Sequence, residues 1–279
     1  MLFEIRHHTQ YNYSKPVLFE PHFLRLRPRQ DPFQKILKFE LSITPQPDGI
    51  SHQLDLDGNT IHQVWFDGSS DKLEILSTAL VYTDNTNPFN YLVCPKSALM
   101  LPMEYSEDVE EFLKPYIMSY TNSLELIRFA ERMSGEASRQ TISFLNYLAH
   151  EISHKFQKRY REDGEPHPPE QTLTETSGAC RDFAVLFMET CRMLGLAARF
   201  VSGYYFEEFH DKQYLHSWAE VYIPGGGWRG FDPSTGLAVA DRHIAVAASA
   251  VPRLSAPVAG IFVGDADSTL TVDIKISAL

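Results

Sequence analysis

The sequence predicts an α+β fold: a β-rich, sandwich-like N-terminal domain over residues 1–95, then a domain over 96–279 in which helices pack on an antiparallel sheet. Two features of the chain carry that expectation. Through much of the first ninety positions apolar residues tend to alternate, whereas at 124–133 and 142–156 they recur every three or four. Strands return after residue 195 as a run of their own, which separates this order from an alternating βαβ chain.

The elements follow in sequence. Residues 2–8, 17–28, 36–44, 60–66 and 72–82 are short and rich in β-branched and aromatic side chains, as strands are. Pro-Asp-Gly at 47–49, Asp-Gly-Asn at 57–59 and Asp-Gly-Ser at 67–69 supply turns between them. Arg25, Arg27 and Arg29 alternate and read as the solvated face of a strand. Residues 84–104 hold three prolines and no period, so a surface linker is expected there. Helices are predicted at 106–114, with Glu107, Asp108, Glu110 and Glu111 at the positive end of the dipole, and at 124–133 and 142–156. A polar loop over 158–172 precedes a helix at 180–194, which has six apolar residues in a row and closes at Gly195. Strands are expected at 197–209, 214–224, 228–232, 243–250 and 269–279, with Gly225, Gly226 and Gly227 as a hairpin turn.

Composition narrows the function. With 279 residues and 43% hydrophobic content the chain can bury a core without metal or disulfide. A net charge of −11 argues against a nucleic-acid partner, which calls for a basic footprint. The first ten residues lack the basic and apolar regions of a signal peptide, and no apolar run is long enough to span a membrane. Three cysteines at unrelated spacings, with Cys180 and Cys191 about 16 Å apart along one helix, point to a reduced, cytoplasmic setting. No glycine-rich phosphate loop is present, and no cofactor is expected.

Cys180 opens the apolar helix, where backbone amides and the macrodipole favour an anion and lower a thiol pKa. The same amides can hold an oxyanion. Gly178 leaves room for a substrate to approach. Taken alone, Cys180 is equally well a buried apolar residue, as Cys94 and Cys191 are read to be. The strands that follow add two partners. His216 shares a strand face with Trp218, Glu220 and Tyr222, and Asp232 ends the next strand. If these strands pair through the glycine turn, Asp232 lies beside His216 and can fix its tautomer while the other ring nitrogen takes the thiol proton.

Three blocks, Ser-Gly-Ala-Cys-Arg-Asp-Phe at 177–183, His-Ser-Trp-Ala-Glu-Val-Tyr at 216–222 and Gly-Phe-Asp-Pro-Ser at 230–234, resemble the motifs of the transglutaminase-like superfamily. Residues 11–29 and 54–66 resemble the β-rich domain that precedes the core in bacterial members. The resemblance implies a papain-like core, a Cys180–His216–Asp232 triad, and a peptide or protein substrate taken through a thioester acyl-enzyme. Hydrolysis is expected over amine cross-linking, because excluding water takes a specialised tunnel. The chain departs from the pattern at Arg181, where Gln is common, at Ser234-Thr235, where Thr-Asn is common, and at 249–260, where an Arg-Asp-Tyr segment is usual. A peptide-binding module with an unused triad is the reading from another class, since fold does not fix function.

A rival motif lies at His150-Glu151-Ile152-Ser153-His154, the His-Glu-x-x-His spacing of zinc hydrolases, with Glu175 as a conceivable third ligand. Lys155, Lys158, Arg159 and Arg161 make a poor field for a dication there and suit a helix C-terminus.

Overall fold

A computed structural model describes residues 1–161, 163–208 and 213–279. Residue 162 of the loop predicted at 158–172 and residue 209 of the strand predicted at 197–209 lie outside the described residues.

The N-terminal part is built on β1 (Leu2–Phe19), one strand of 18 residues that buries Phe3, Ile5, His7 and Thr9 at alternate positions. A short β2 (His22–Leu24) follows, then β3 (Gln34–Thr44), β4 (Gly49–Leu54), β5 (Thr60–Trp65) and β6 (Ser69–Thr83). Two sheets result. In one, β6 lies between β1 and β3; in the other, β5 lies between β2 and β4. Tyr13, Val17, Phe19, Leu24, Val64, Leu73 and Ile75 fill the space between them. Arg25 and Arg29 do not form the expected solvated strand face. Arg25 is buried with its Nε 3.8 Å from Asp55, and Arg29 donates to the Asn59 side chain and the Asp57 carbonyl. The alternation was real, but these guanidinium groups hold the 55–59 turn instead of facing water.

The middle of the chain is helical: α1 (Glu107–Ile117), α2 (Leu124–Glu136) and α3 (Thr141–Lys155). β7 (Gln157–Lys158) runs into the start of the predicted polar loop, whose last four residues belong to α4 (Pro169–Glu175); β8 (Ser177–Gly178) then pairs with β7 in parallel. Helix α5 (Cys180–Met193) is buried along almost its whole length. Phe183, Ala184, Phe187 and Met188 pack with α2, α3 and the inner face of an antiparallel sheet. That sheet has the order β12 (Leu237–Ala238), β11 (Gly227–Asp232), β10 (Leu215–Ile223), β9 (Ala198–Tyr205), β13 (His243–Ser249). Among the described residues no helix is long and apolar enough to cross a membrane.

The last strands differ from expectation. β14 (Val258–Ala259) pairs with β2, β15 (Phe262–Val263) with the end of β1, and β16 (Ser268–Ala278) runs along β1 from Phe3↔Ala278 to Tyr13↔Ser268. A division at residues 95 and 96 therefore does not separate the sheets, because residues 258–278 complete the N-terminal pair. The reason is that a period of two reports a strand but not its partner.

The two parts meet at β13, an edge of the core sheet. Gln34 receives the Ala245 amide at 2.8 Å and donates to the Ala245 carbonyl at 2.9 Å. Asn59 does the same for Ala248, at 2.8 and 2.7 Å. Two side-chain amides thus satisfy an edge that would otherwise offer open backbone groups. Phe3, Ile5, Val81, Ile274 and Ile276 pack against Tyr204, Ile244 and Val246 beside them.

Candidate active site

Cys180 is the first residue of α5. The helix starts there because Asp182, in its first turn, reaches back to accept the Ala179 amide at 2.7 Å. The other oxygen of Asp182 accepts from Arg161 at 2.6 Å and from the His167 amide at 2.8 Å. Arg181 donates to the Arg161 and Asp163 carbonyls. One turn of helix thereby holds both the thiol and the loop beside it. Cys180 is partly exposed, Cys94 exposed and Cys191 buried.

His216 and Asp232 come from neighbouring strands. The register Ala219↔Phe231 sets Asp232 diagonally from His216 on the same sheet face. Asp232 is fully buried and its Oδ2 accepts from His216 Nε2 at 2.7 Å. That contact leaves Nδ1 as the ring nitrogen that can serve the Cys180 thiol, with which His216 interacts electrostatically. Burial alone would lower the His216 pKa, but the charge and hydrogen bond of Asp232 outweigh it and raise the pKa above the ordinary imidazole value. Burial likewise pushes the Cys180 thiol up, and the His216 contact brings it below the usual thiol range. Asp232 is held well below the carboxylate range, against burial, by His216 and by His243. These directions agree with one arrangement: thiolate, imidazolium and carboxylate in a row.

His243, which opens β13, was not singled out from the sequence. Its Nε2 lies 3.2 Å from Asp232 Oδ2. The available signal was a histidine at the head of an otherwise small and apolar strand, eleven residues after the aspartate. Asp182 was also passed over, although an acid three residues into a helix is a known capping position.

The His-Glu-x-x-His segment lies on α3 with both imidazoles exposed. Their rings stack at 3.8 Å with 17° between planes, and His154 Nδ1 lies 3.0 Å from the His150 carbonyl oxygen. Glu151 is paired with Lys155, and Glu175 accepts from Gln171. Among the described residues the one group of three possible metal ligands is His216, Asp232 and His243, so Glu175 does not join the pair on α3.

A thiol at a buried helix start, facing an imidazole and carboxylate on an antiparallel sheet, defines a papain-like core. The sequence comparisons give the family. Residues 127–233 match the transglutaminase-like superfamily, and residues 3–82 match the bacterial transglutaminase-like N-terminal region. The chain belongs to the transglutaminase-like superfamily. Over its full length it is similar to a candidate cysteine protease of Cytophaga hutchinsonii, with a TM-score of 0.75, 20% identity, and coverage of 100% of this chain and 91% of that one. It is 25% identical to the uncharacterized protein Mb2599c of Mycobacterium bovis, over 99% of this chain and 92% of that protein. An uncharacterized Mycobacterium leprae protein is 29% identical over 38% of this chain, a match spanning 40% of its own length.

Proposed function

We propose that the protein is a cysteine-dependent acyl-transfer enzyme acting on amide or peptide bonds, with Cys180 as nucleophile, His216 as base and acid, and Asp232 orienting His216. The observation that carries this reading is the buried His216–Asp232 hydrogen bond at 2.7 Å beside a helix-start thiol whose pKa His216 lowers. In the first half-reaction the Cys180 thiolate attacks the amide carbonyl carbon. The imidazolium of His216 gives its Nδ1 proton to the amide nitrogen, the C–N bond breaks, and an amine leaves a thioester on Cys180. The first turn of α5 supplies backbone amides at its positive end for the oxyanion. In the second, neutral His216 takes a proton from water, hydroxide adds to the thioester carbonyl, and the C–S bond breaks to give the acid and the thiolate. Water is the favoured acceptor because Cys180 is partly open to solvent.

Iodoacetamide labelling of the folded protein at pH 7 tests the activated thiol. Cys180 should react at least tenfold faster than exposed Cys94, on the principle that the thiolate is the reacting form. Cys191 should stay unlabelled, since burial raises its thiol pKa well above the usual value. Incubation of wild type and Cys180→Ala with a peptide library plus a primary amine then identifies the acceptor. Equal reactivity of Cys180 and Cys94, and no product dependent on Cys180, would leave a binding module.

A further inference from the structure

We propose that His243 is a fourth member of this site: a positioning residue that donates its Nε2 proton to Asp232 and fixes the carboxylate under His216. The proposal rests on the acyl-transfer reading above and concerns the same site. The geometry decides which way the proton points. The Ala240 amide is 3.4 Å from His243 Nδ1 and donates to it, so Nδ1 carries the lone pair. A neutral imidazole then has its proton on Nε2, which lies 3.2 Å from Asp232 Oδ2. The Ser234 amide donates to Oδ1 at 2.8 Å and His216 to Oδ2 at 2.7 Å. Three donors on two oxygens leave the buried carboxylate one orientation and keep it ionised.

The surroundings keep His243 neutral and in place. Its ring sits 4.6 Å from that of Tyr205 on β9 and 5.3 Å, edge-on, from that of Trp218 on β10. Titratable and charged groups face it from each neighbouring element. His216 and Asp232 lie on the catalytic side, and Tyr205, itself near Glu207 and Arg242, lies against the ring. A cavity of about 90 Å³ on the domain-interface side is lined by His243 together with Asp31, Glu220 and Arg229. Burial is the largest influence on its pKa and lowers it. The strand that carries His243 is the one clamped by Gln34 and Asn59, so the N-terminal sheets reach the catalytic line through this residue.

The test is the pH profile of Cys180 alkylation in wild type, His243→Phe and His243→Gln. Phenylalanine keeps a ring between Tyr205 and Trp218 and removes the donor; glutamine keeps a donor. Loss of one of three donors lets the Asp232 carboxylate turn from His216, so the imidazolium holds the thiolate less firmly; the acid limb should move up by about one pH unit and alkylation at pH 5 slow roughly tenfold in His243→Phe. His243→Gln should recover most of that loss. A wild-type acid limb in His243→Phe, with only a lowered melting temperature, makes His243 a packing residue and overturns the proposal. So does one tightly held zinc per wild-type chain that is lost in His243→Gln, which would turn the cluster into a metal site. If the Phe variant does not fold, imidazole 15N shifts of the wild-type chain read the tautomer directly: protonated Nε2 is expected on His243, and protonated Nδ1 overturns the proposal. An unreactive Cys180 in wild type would instead refute the acyl-transfer reading while leaving the His243 tautomer measurable.

Discussion

His7 offers a quantitative handle on acid stability, far from the thiol. It lies on β1 at 2% exposure, with Nδ1 2.9 Å from the Tyr204 hydroxyl and Nε2 3.1 Å from Thr9 Oγ1. Loss of solvation, helped by neighbouring His8, lowers its pKa from 6.5 to about 4. In the unfolded chain the same ring titrates near its ordinary value, so the unfolded state binds the proton first as pH falls. Stability from this residue is therefore complete above about pH 6.5 and is lost progressively down to about pH 4. Between pH 8 and pH 5 the loss is about 2 kcal/mol, from the two pKa values and 1.36 kcal/mol per unit. Other groups titrate in the same range: His62 is also lowered, whereas His216 is raised and works in the opposite sense. A difference of differences removes them. Urea unfolding of wild type and His7→Gln at both pH values should show the wild type losing about 2 kcal/mol more than the variant. Glutamine keeps a donor and an acceptor for Tyr204 and Thr9, and it does not titrate. Losses that agree within about 0.5 kcal/mol would refute a buried neutral His7 and with it the tight closure of β1 on β9.

Two further substitutions probe the site's frame. Gly203 lies between His216 on β10 and Ala245 on β13, and a Cβ there would overlap the Ile244 carbonyl and come within 2.7 Å of Trp218 Cη2. Gly203→Ala should lower stability by about 1–3 kcal/mol in urea and slow Cys180 alkylation, because relief of the overlap must move β13 or the Trp218 ring. Asp182→Ala strips the Ala179 amide, Arg161 and the His167 amide of a buried charged acceptor. A cost of about 2–4 kcal/mol is expected, with part of the Arg161 contact discounted because that side chain is partly solvated. Limited proteolysis should then cut at 159–167, where the loop has lost its anchor.

The catalytic candidates were legible because they sit in short blocks whose local conformation the neighbouring residues dictate. Cys180 follows Gly178 into an apolar helix, and Asp232 precedes Pro233 at a strand end. The meeting of His216 and Asp232 needed only one pairing, between strands joined by a glycine turn, and short hairpins have few alternatives. His243, Arg25 and Arg29 owe their roles to contacts that no local pattern carries. His243 meets Asp232 although β10 and β9 lie between their strands in the sheet order, and no local pattern announces that. Arg25 and Arg29 look like any alternating charged face until Asp55 and Asn59 are brought beneath them. Helix α4 hid behind three prolines within four residues, although a proline at the first helical position followed by an acid, as in Pro169-Glu170, is a start signal. The C-terminal segments read as strands from their alternation, which does not say that residues 258–278 pair with β1 and β2.

That pairing has a consequence for how the protein comes into being. On the ribosome β1 and β6 are made far ahead of β16, so the other edge of β1 finds its partner only when residues 268–278 have emerged. Through that interval the nascent chain carries a long strand with one row of amides and carbonyls unclaimed. A strand in that condition is a template for any other extended chain nearby. Slower synthesis should therefore lower the yield of folded protein, and chaperone access to that edge should raise it.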